Sequence, residues 1–154
     1  MTVPLYIVRH ADAGDRAQWH GPDHLRPLSA EGIEQAAALV ERFDGIGLGR
    51  LASSPHVRCI QTLEPLGVAR TLGVEPAEDL AEGTPADRAI ALLSGLAEAP
   101  VAVCSHGDVI QAVVEALIED GLRVEGPVGF AKGSVWELHL DRGRIVSGRY
   151  RPPR

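Results

Sequence analysis

Two imidazoles, His10 and His106, and two guanidiniums, Arg9 and Arg58, are the side chains in this sequence whose placement suggests shared chemistry. Arg9-His10 follows the apolar run Leu5-Tyr6-Ile7-Val8, Ser53-Ser54-Pro55 with Arg58 follows Arg50-Leu51-Ala52, and Ser105-His106-Gly107 follows Val101-Ala102-Val103-Cys104. Ligands of open α/β sheets lie beyond the carboxyl ends of the strands, so three polar strand ends are expected to meet at one place. Such a set suits a phosphoryl group. A phosphate monoester carries nearly two negative charges, and two arginines supply fixed positive charge with planar, bidentate donors. Helix N-termini just after Ser54 and His106 would add backbone N–H groups. One histidine, neutral on one nitrogen, can attack phosphorus while the other, bearing a proton, acts as a donor that stabilises the crowded transition state. Positioning and charge stabilisation then suffice, and no metal or other cofactor is called for. Taken singly, each residue has a plainer role: a strand-end pair for Arg9 and His10, a surface ion pair for Arg58, a helix cap for His106. Their joint occurrence favours chemistry.

The elements that must position these residues can be read from hydropathy. Leu5–Val8 and Val101–Cys104 are short, continuous apolar runs, the pattern of central parallel strands covered on both faces. Ser29 as N-cap and Gly45 as stop bracket a helix whose apolar positions Ile33, Ala36, Ala37, Val40 and Phe43 predict its buried face. A helix starting at Ser54-Pro55 should kink or break at Pro65. Thr84-Pro85-Ala86-Asp87 opens another, with Thr84 as its cap. Val109, Ile110, Val113, Val114, Leu117 and Ile118 define a wide stripe on a last helix ending near Gly121. Val135–Leu140 and Ile145–Tyr150 alternate around Asp141-Arg142-Gly143, predicting a terminal hairpin, and residues 151–154 should fray. This order implies an α/β three-layer sandwich with a mostly parallel central sheet, residues 1–154 forming one domain. The irregular stretches 11–28, 79–83 and 119–133 are the candidate functional loops.

Composition narrows the partners. The chain has 154 residues, 45% apolar and 23% charged, with a net charge of −6, which is typical of a folded protein. The acidic balance argues against nucleic acid and against an anionic membrane surface, so any anionic ligand needs a local cationic pocket. No apolar run is long enough to span a bilayer and no leader pattern precedes Leu5, so a cytoplasmic location is the expectation. Cys59 and Cys104 lack zinc-site spacing and read as buried free thiols. His20 and His24 are four apart, but Gly21 and Pro22 oppose the helix that would align them on a metal.

Leu5-Tyr6-Ile7-Val8-Arg9-His10-Ala11-Asp12-Ala13, Leu28-Ser29-Ala30-Glu31-Gly32-Ile33-Glu34-Gln35-Ala36, Ser53-Ser54-Pro55-His56-Val57-Arg58-Cys59-Ile60-Gln61-Thr62 and Ser105-His106-Gly107 together resemble the histidine phosphatase superfamily, with its phosphoglycerate mutase-like fold. The resemblance implies that His10 is transiently phosphorylated, that Arg9, Arg58 and His106 hold the phosphoryl group, and that a carboxylate protonates the leaving group. Ala11 stands where the family has glycine, and the Arg-His-x-Asp-Ala form of residues 9–13 looks like that of the SixA-type phosphohistidine phosphatases, which are also compact. The stretch Trp19–Leu28 resembles the histidine phosphatase domains attached to some Nudix hydrolases. Glu82 lies where many members place their acid; a solvated loop glutamate is the plainer reading, and Asp12 competes weakly. Arg16, Trp19, His20, Arg26, Ser105 and Lys132 are the candidate substrate-binding residues, Trp19 serving equally well as a lid on the core.

The resemblance therefore implies a metal-independent phosphatase acting on a phosphorylated small molecule or phosphoprotein. A phosphoglycerate-type mutase and a non-catalytic phosphate- or phosphoprotein-binding module are the alternatives. The absence of the large insertions of the glycolytic mutases favours hydrolysis, and intact histidines disfavour a pure binder. The oligomeric state is left open.

Overall fold

The computed structural model describes residues 2–96 and 98–153. Seven strands, β1 (Val3–Arg9), β2 (Arg50–Ser53), β3 (Val74–Pro76), β4 (Val101–Ser105), β5 (Arg123–Val124), β6 (Val135–Asp141) and β7 (Arg144–Arg151), form one sheet in the order β3-β2-β4-β1-β6-β7-β5. The pairings β3–β2, β2–β4, β4–β1 and β7–β5 are parallel, whereas β6 runs antiparallel to both β1 and β7. The sheet is thus mostly parallel. Its helices are α1 (Ala30–Arg42), α2 (Val57–Arg70), α3 (Ala86–Leu96) and α4 (Gly107–Glu119).

Strand periodicity divides the core. Leu5 and Ile7 of β1 join Val101 and Val103 of β4, Leu93 of α3 and Val109, Ile110 and Val113 of α4 on one face. Tyr6 and Val8 join Ala102 and Cys104, with Leu39 of α1 and Leu63 and Leu66 of α2, on the other. Both faces of β1 and β4 are therefore covered, which explains their unbroken apolar character. The terminal hairpin turns at Arg142 (φ 54°) and Gly143 (φ 78°), successive positive φ values of the kind a tight two-residue turn demands.

Several local expectations are corrected. The buried face of α1 is Gly32, Ala36 and Leu39, while Ile33 stands 60% exposed and Ala37 is also outside. A Cβ on Gly32 would fall 1.9 Å from the carbonyl oxygen of Asp12, so the loop backbone crosses α1 where only glycine fits. The helix is rotated to bring that glycine inward, and Ile33 turns out. Helix α2 starts at Val57, with His56 and not Ser54 preceding it, and runs through Pro65 without a break. Its buried residues Arg58, Cys59, Thr62, Leu63, Leu66 and Gly67 continue on one side past the proline, so packing offsets the lost donor. Helix α3 begins at Ala86, and the Thr84 hydroxyl donates back to the Ala81 carbonyl (2.7 Å) instead of capping it. Arg151 belongs to β7 and the Pro152 carbonyl accepts from Arg42 (2.9 Å), so that stretch is tied down; Arg154 lies outside the described residues. The short strands β3 and β5 were not foreseen. Two and three residues leave no readable alternation.

Candidate active site

The carboxyl ends of β1, β2 and β4 bring the four residues together. Backbone N–H of His10 donates to Ser105 O (3.0 Å), fixing the end of β1 to the end of β4, and Ala11 N–H donates to the Thr62 hydroxyl of α2 (3.0 Å). The backbone on either side of the His10 side chain is thereby fixed. His10 Nδ1 lies 2.8 Å from Ala11 O, and because a carbonyl only accepts, Nδ1 carries the proton. Nε2 is left with its lone pair. Burial lowers the pKa of His10 to about 4; the Ala11 bond opposes this and the charges of Arg58, Arg9 and Lys132 reinforce it. At neutral pH the ring is uncharged, with the Nε2 lone pair free.

His106 ends β4 immediately before α4, with its ring centroid 5.4 Å from that of His10. Its Nδ1 faces Arg58 Nη2 (3.4 Å), an obligate donor, and so is the acceptor; Nε2–H then donates to the Ser54 hydroxyl (2.8 Å). Burial, followed by His10, Arg58 and His56, lowers its pKa to about 2.

Arg58, on the first turn of α2, is fully buried, and Arg9 donates through Nη1 to Phe130 O (2.6 Å). The Nε atoms of both arginines are buried without a hydrogen-bond partner among the described residues. Unpaired donors in such a setting are costly unless an acceptor is meant to arrive.

Arg9, His10 and His106 line a cleft of about 480 Å³ whose rim includes Gly14, Asp15, Arg16, Arg26, Glu82, Gly107, Asp108 and Lys132. A cleft of about 550 Å³ elsewhere, bounded by Arg149, Tyr150 and Pro152, has no histidine among its lining residues. The four candidate residues gather at the first cleft and not at the second. Glu82 sits at its mouth, bonded to Arg16 Nη2 (2.8 Å) and 3.7 Å from Arg58 Nη2. Lys132 reaches Asp12 (3.4 Å), and Asp12 also accepts from the Ser29 hydroxyl (2.6 Å) and Gly14 N–H (3.2 Å). These bonds hold Asp12 low in pKa, with Ser29 the largest cause, and commit it to shaping the loop.

Other predicted binding residues sit differently. Arg26 lines the cleft, but it is buried and donates to Ala13 O (2.6 Å). Ser105 is buried and spends its hydroxyl on Leu80 O (2.6 Å), tethering the loop before Glu82. Trp19 folds over Gly21 and donates to Pro22 O (2.9 Å); neither it nor the exposed His20 lines the cleft.

Three contributors were missed. His56 packs edge-on against His106 (4.6 Å between centroids), Asp108 accepts from Gly83 N–H (2.9 Å) beside Glu82, and Asp23 joins three arginines. His56 stood inside a recognised motif. Asp23 and Asp108 offered only an acid in a loop and an acid in a first helical turn, neither distinctive.

An α/β sheet that gathers two imidazoles and two guanidiniums at adjoining strand ends defines a class of phosphoryl-handling proteins. Comparison with known proteins agrees: residues 5–85 match the Histidine phosphatase superfamily (branch 1). The chain belongs to that superfamily. It is 34% identical over 158 aligned residues to an 8-oxo-(d)GTP phosphatase of Mycolicibacterium smegmatis, an alignment covering 99% of this chain and 49% of that protein. The chain thus spans about half the length of this curated relative. Among solved structures it is similar to the protein histidine phosphatase SixA complexed with tungstate (25% identity, TM-score 0.75, covering 97% and 95% of the two chains). The fold is also shared with a mycobacterial glucosyl-3-phosphoglycerate phosphatase (19% identity, TM-score 0.73, 97% of each chain).

Proposed function

We propose that residues 1–154 form one histidine phosphatase domain that hydrolyses a phosphomonoester or a phosphohistidine without a metal. The observation that carries this reading is the Ala11 carbonyl on His10 Nδ1, which leaves Nε2 unprotonated on a residue whose charge environment is set by Arg9 and Arg58, each with an Nε that lacks a partner among the described residues. His10 Nε2 forms a bond to phosphorus as the bond to the leaving oxygen or imidazole nitrogen breaks. Arg9, Arg58 and His106 hold the three remaining phosphoryl oxygens. Glu82 gives a proton to a leaving alkoxide oxygen, while a leaving imidazole needs it little; the carboxylate then takes a proton from water, whose oxygen displaces His10 and releases inorganic phosphate. Arg16 and Lys132 meet the rest of the substrate at the cleft mouth.

The likeness to the 8-oxo-(d)GTP phosphatase favours a second reading of the substrate, a nucleotide, with the same chemistry at phosphorus. A screen of wild type and His10→Ala without added metal, spanning sugar phosphates, nucleotides and phosphohistidine peptides, tests the proposal. Loss of about three orders of magnitude in the variant is expected from removal of a covalent nucleophile. Binding of phosphorylated ligands with no release of phosphate by the wild type would instead mark a binding module.

A further inference from the structure

The loop 11–28 holds a carboxylate that the phosphatase chemistry does not use. Asp23 begins a single 3₁₀ turn, Asp23–Leu25, and is one-third exposed. Its Oδ2 lies 3.1 Å from Arg58 Nη2, and its backbone oxygen accepts from Arg58 Nη1 at 2.9 Å. Its Oδ1 lies 3.2 Å from Arg26 Nε and 3.3 Å from Arg16 Nε. One carboxylate thus serves three guanidiniums, of which Arg58 and Arg26 are withdrawn from water.

The geometry on Arg58 matters. Asp23 occupies the end-on edge formed by Nη1 and Nη2. On the remaining, side-on edge the second Nη2 hydrogen goes to His106 Nδ1 (3.4 Å), which leaves Nε as the donor of that edge without a partner among the described residues. A phosphoryl oxygen approaching Nε finds a guanidinium whose charge is already shared with a carboxylate on its other side.

We propose that Asp23 is the internal counter-ion that sets how tightly this site holds a phosphoryl dianion. The inference rests on the phosphatase reading of the cleft. Asp23 shares the charge of Arg58 and, through Arg16, that of the group paired with Glu82, so the dianion is held firmly enough to react and weakly enough for phosphate to leave. A buried guanidinium without its carboxylate is poorly solvated, and an arriving anion then relieves a larger penalty. The backbone oxygen of Asp23 keeps its hold on Arg58 Nη1 when the side chain is changed, so a neutral replacement removes charge while keeping much of the aim.

The test compares thermal unfolding of wild type, Asp23→Asn and the smaller Asp23→Ser, with inorganic phosphate at millimolar concentration or with chloride at matched ionic strength. In chloride the neutral variants unfold at lower temperature. In phosphate the gap closes, and direct titration shows phosphate bound about tenfold more tightly than by wild type, as expected when an anionic competitor is removed. A variant that folds only with phosphate is the same result in stronger form. Glu75→Gln, which breaks the remote pair with Arg50 at the other end of β2, must show the same gap in both salts. Equal stabilisation of wild type and both neutral variants, weaker phosphate binding by them, or failure of both to fold in either salt overturns the proposal while leaving the phosphatase reading standing. No response to phosphate in the wild type overturns both.

Discussion

Gly107 and Arg9 compete for one space: a Cβ on Gly107 would fall 2.8 Å from Arg9 Cζ and 2.9 Å from its Nε. The first residue of α4 is bare, so a strand-end guanidinium can lie across the helix N-terminus, where backbone N–H groups and positive charge face the same cleft.

Gly107→Ala therefore displaces the guanidinium, since Arg9 is anchored by its Nη1 bond to Phe130 O and cannot simply swing clear. The fold tolerates the shift because only a side-chain end moves. We expect a melting temperature close to wild type and a fall in kcat/KM of about 100-fold, the scale of an ångström-level misplacement. Paired calorimetry and kinetics check this.

Glu82 can be separated from the rest of the site by varying the leaving group. If it protonates the departing oxygen, Glu82→Gln lowers kcat/KM on an alkyl phosphate about 100-fold and leaves a nitrophenyl phosphate nearly unaffected, since that oxygen leaves without a proton. A phosphohistidine peptide should behave like the nitrophenyl ester. Equal losses on all three would assign Glu82 to holding Arg16 and Arg58 instead.

The neutral histidines make the fold sensitive to acid. His10 is held at about 4, below the ordinary value of about 6.5, so the unfolded chain takes up its proton first. Stability from this group is complete above about pH 6.5 and is lost as pH falls toward 4, with His106 acting in the same direction. Urea denaturation of wild type and His10→Asn at pH 7 and 4.5 should show the wild type losing about 2 kcal/mol more than the variant over that interval.

Much of this was legible in the sequence because it was written in strand ends. β1 and β4 announce themselves as apolar runs, and a polar residue after such a run lands at the carboxyl edge of the sheet. The helices were harder. A period of 3.6 fits both the Ile33, Ala37, Val40 stripe of α1 and the Gly32, Ala36, Leu39 stripe, and hydropathy prefers isoleucine to glycine; the close pass of Asp12 O decides otherwise. Pro65 was misread because local preference yields to packing along the face of α2 that includes Arg58 and Leu66. Asp23 was invisible for a different reason: it meets Arg16, Arg26 and Arg58 only after an irregular loop has folded back over α2, and neither periodicity nor spacing encodes that return.

The central claim is covalent, so trapping the intermediate tests it most directly. Enzyme mixed with a phosphorylated substrate, quenched at alkaline pH within the first turnover and mapped by mass spectrometry, should carry one phosphoryl group on His10, acid-labile and base-stable, and absent from His10→Ala. Steady release of phosphate with no label on His10, or turnover by His10→Ala near the wild-type rate, would contradict the account.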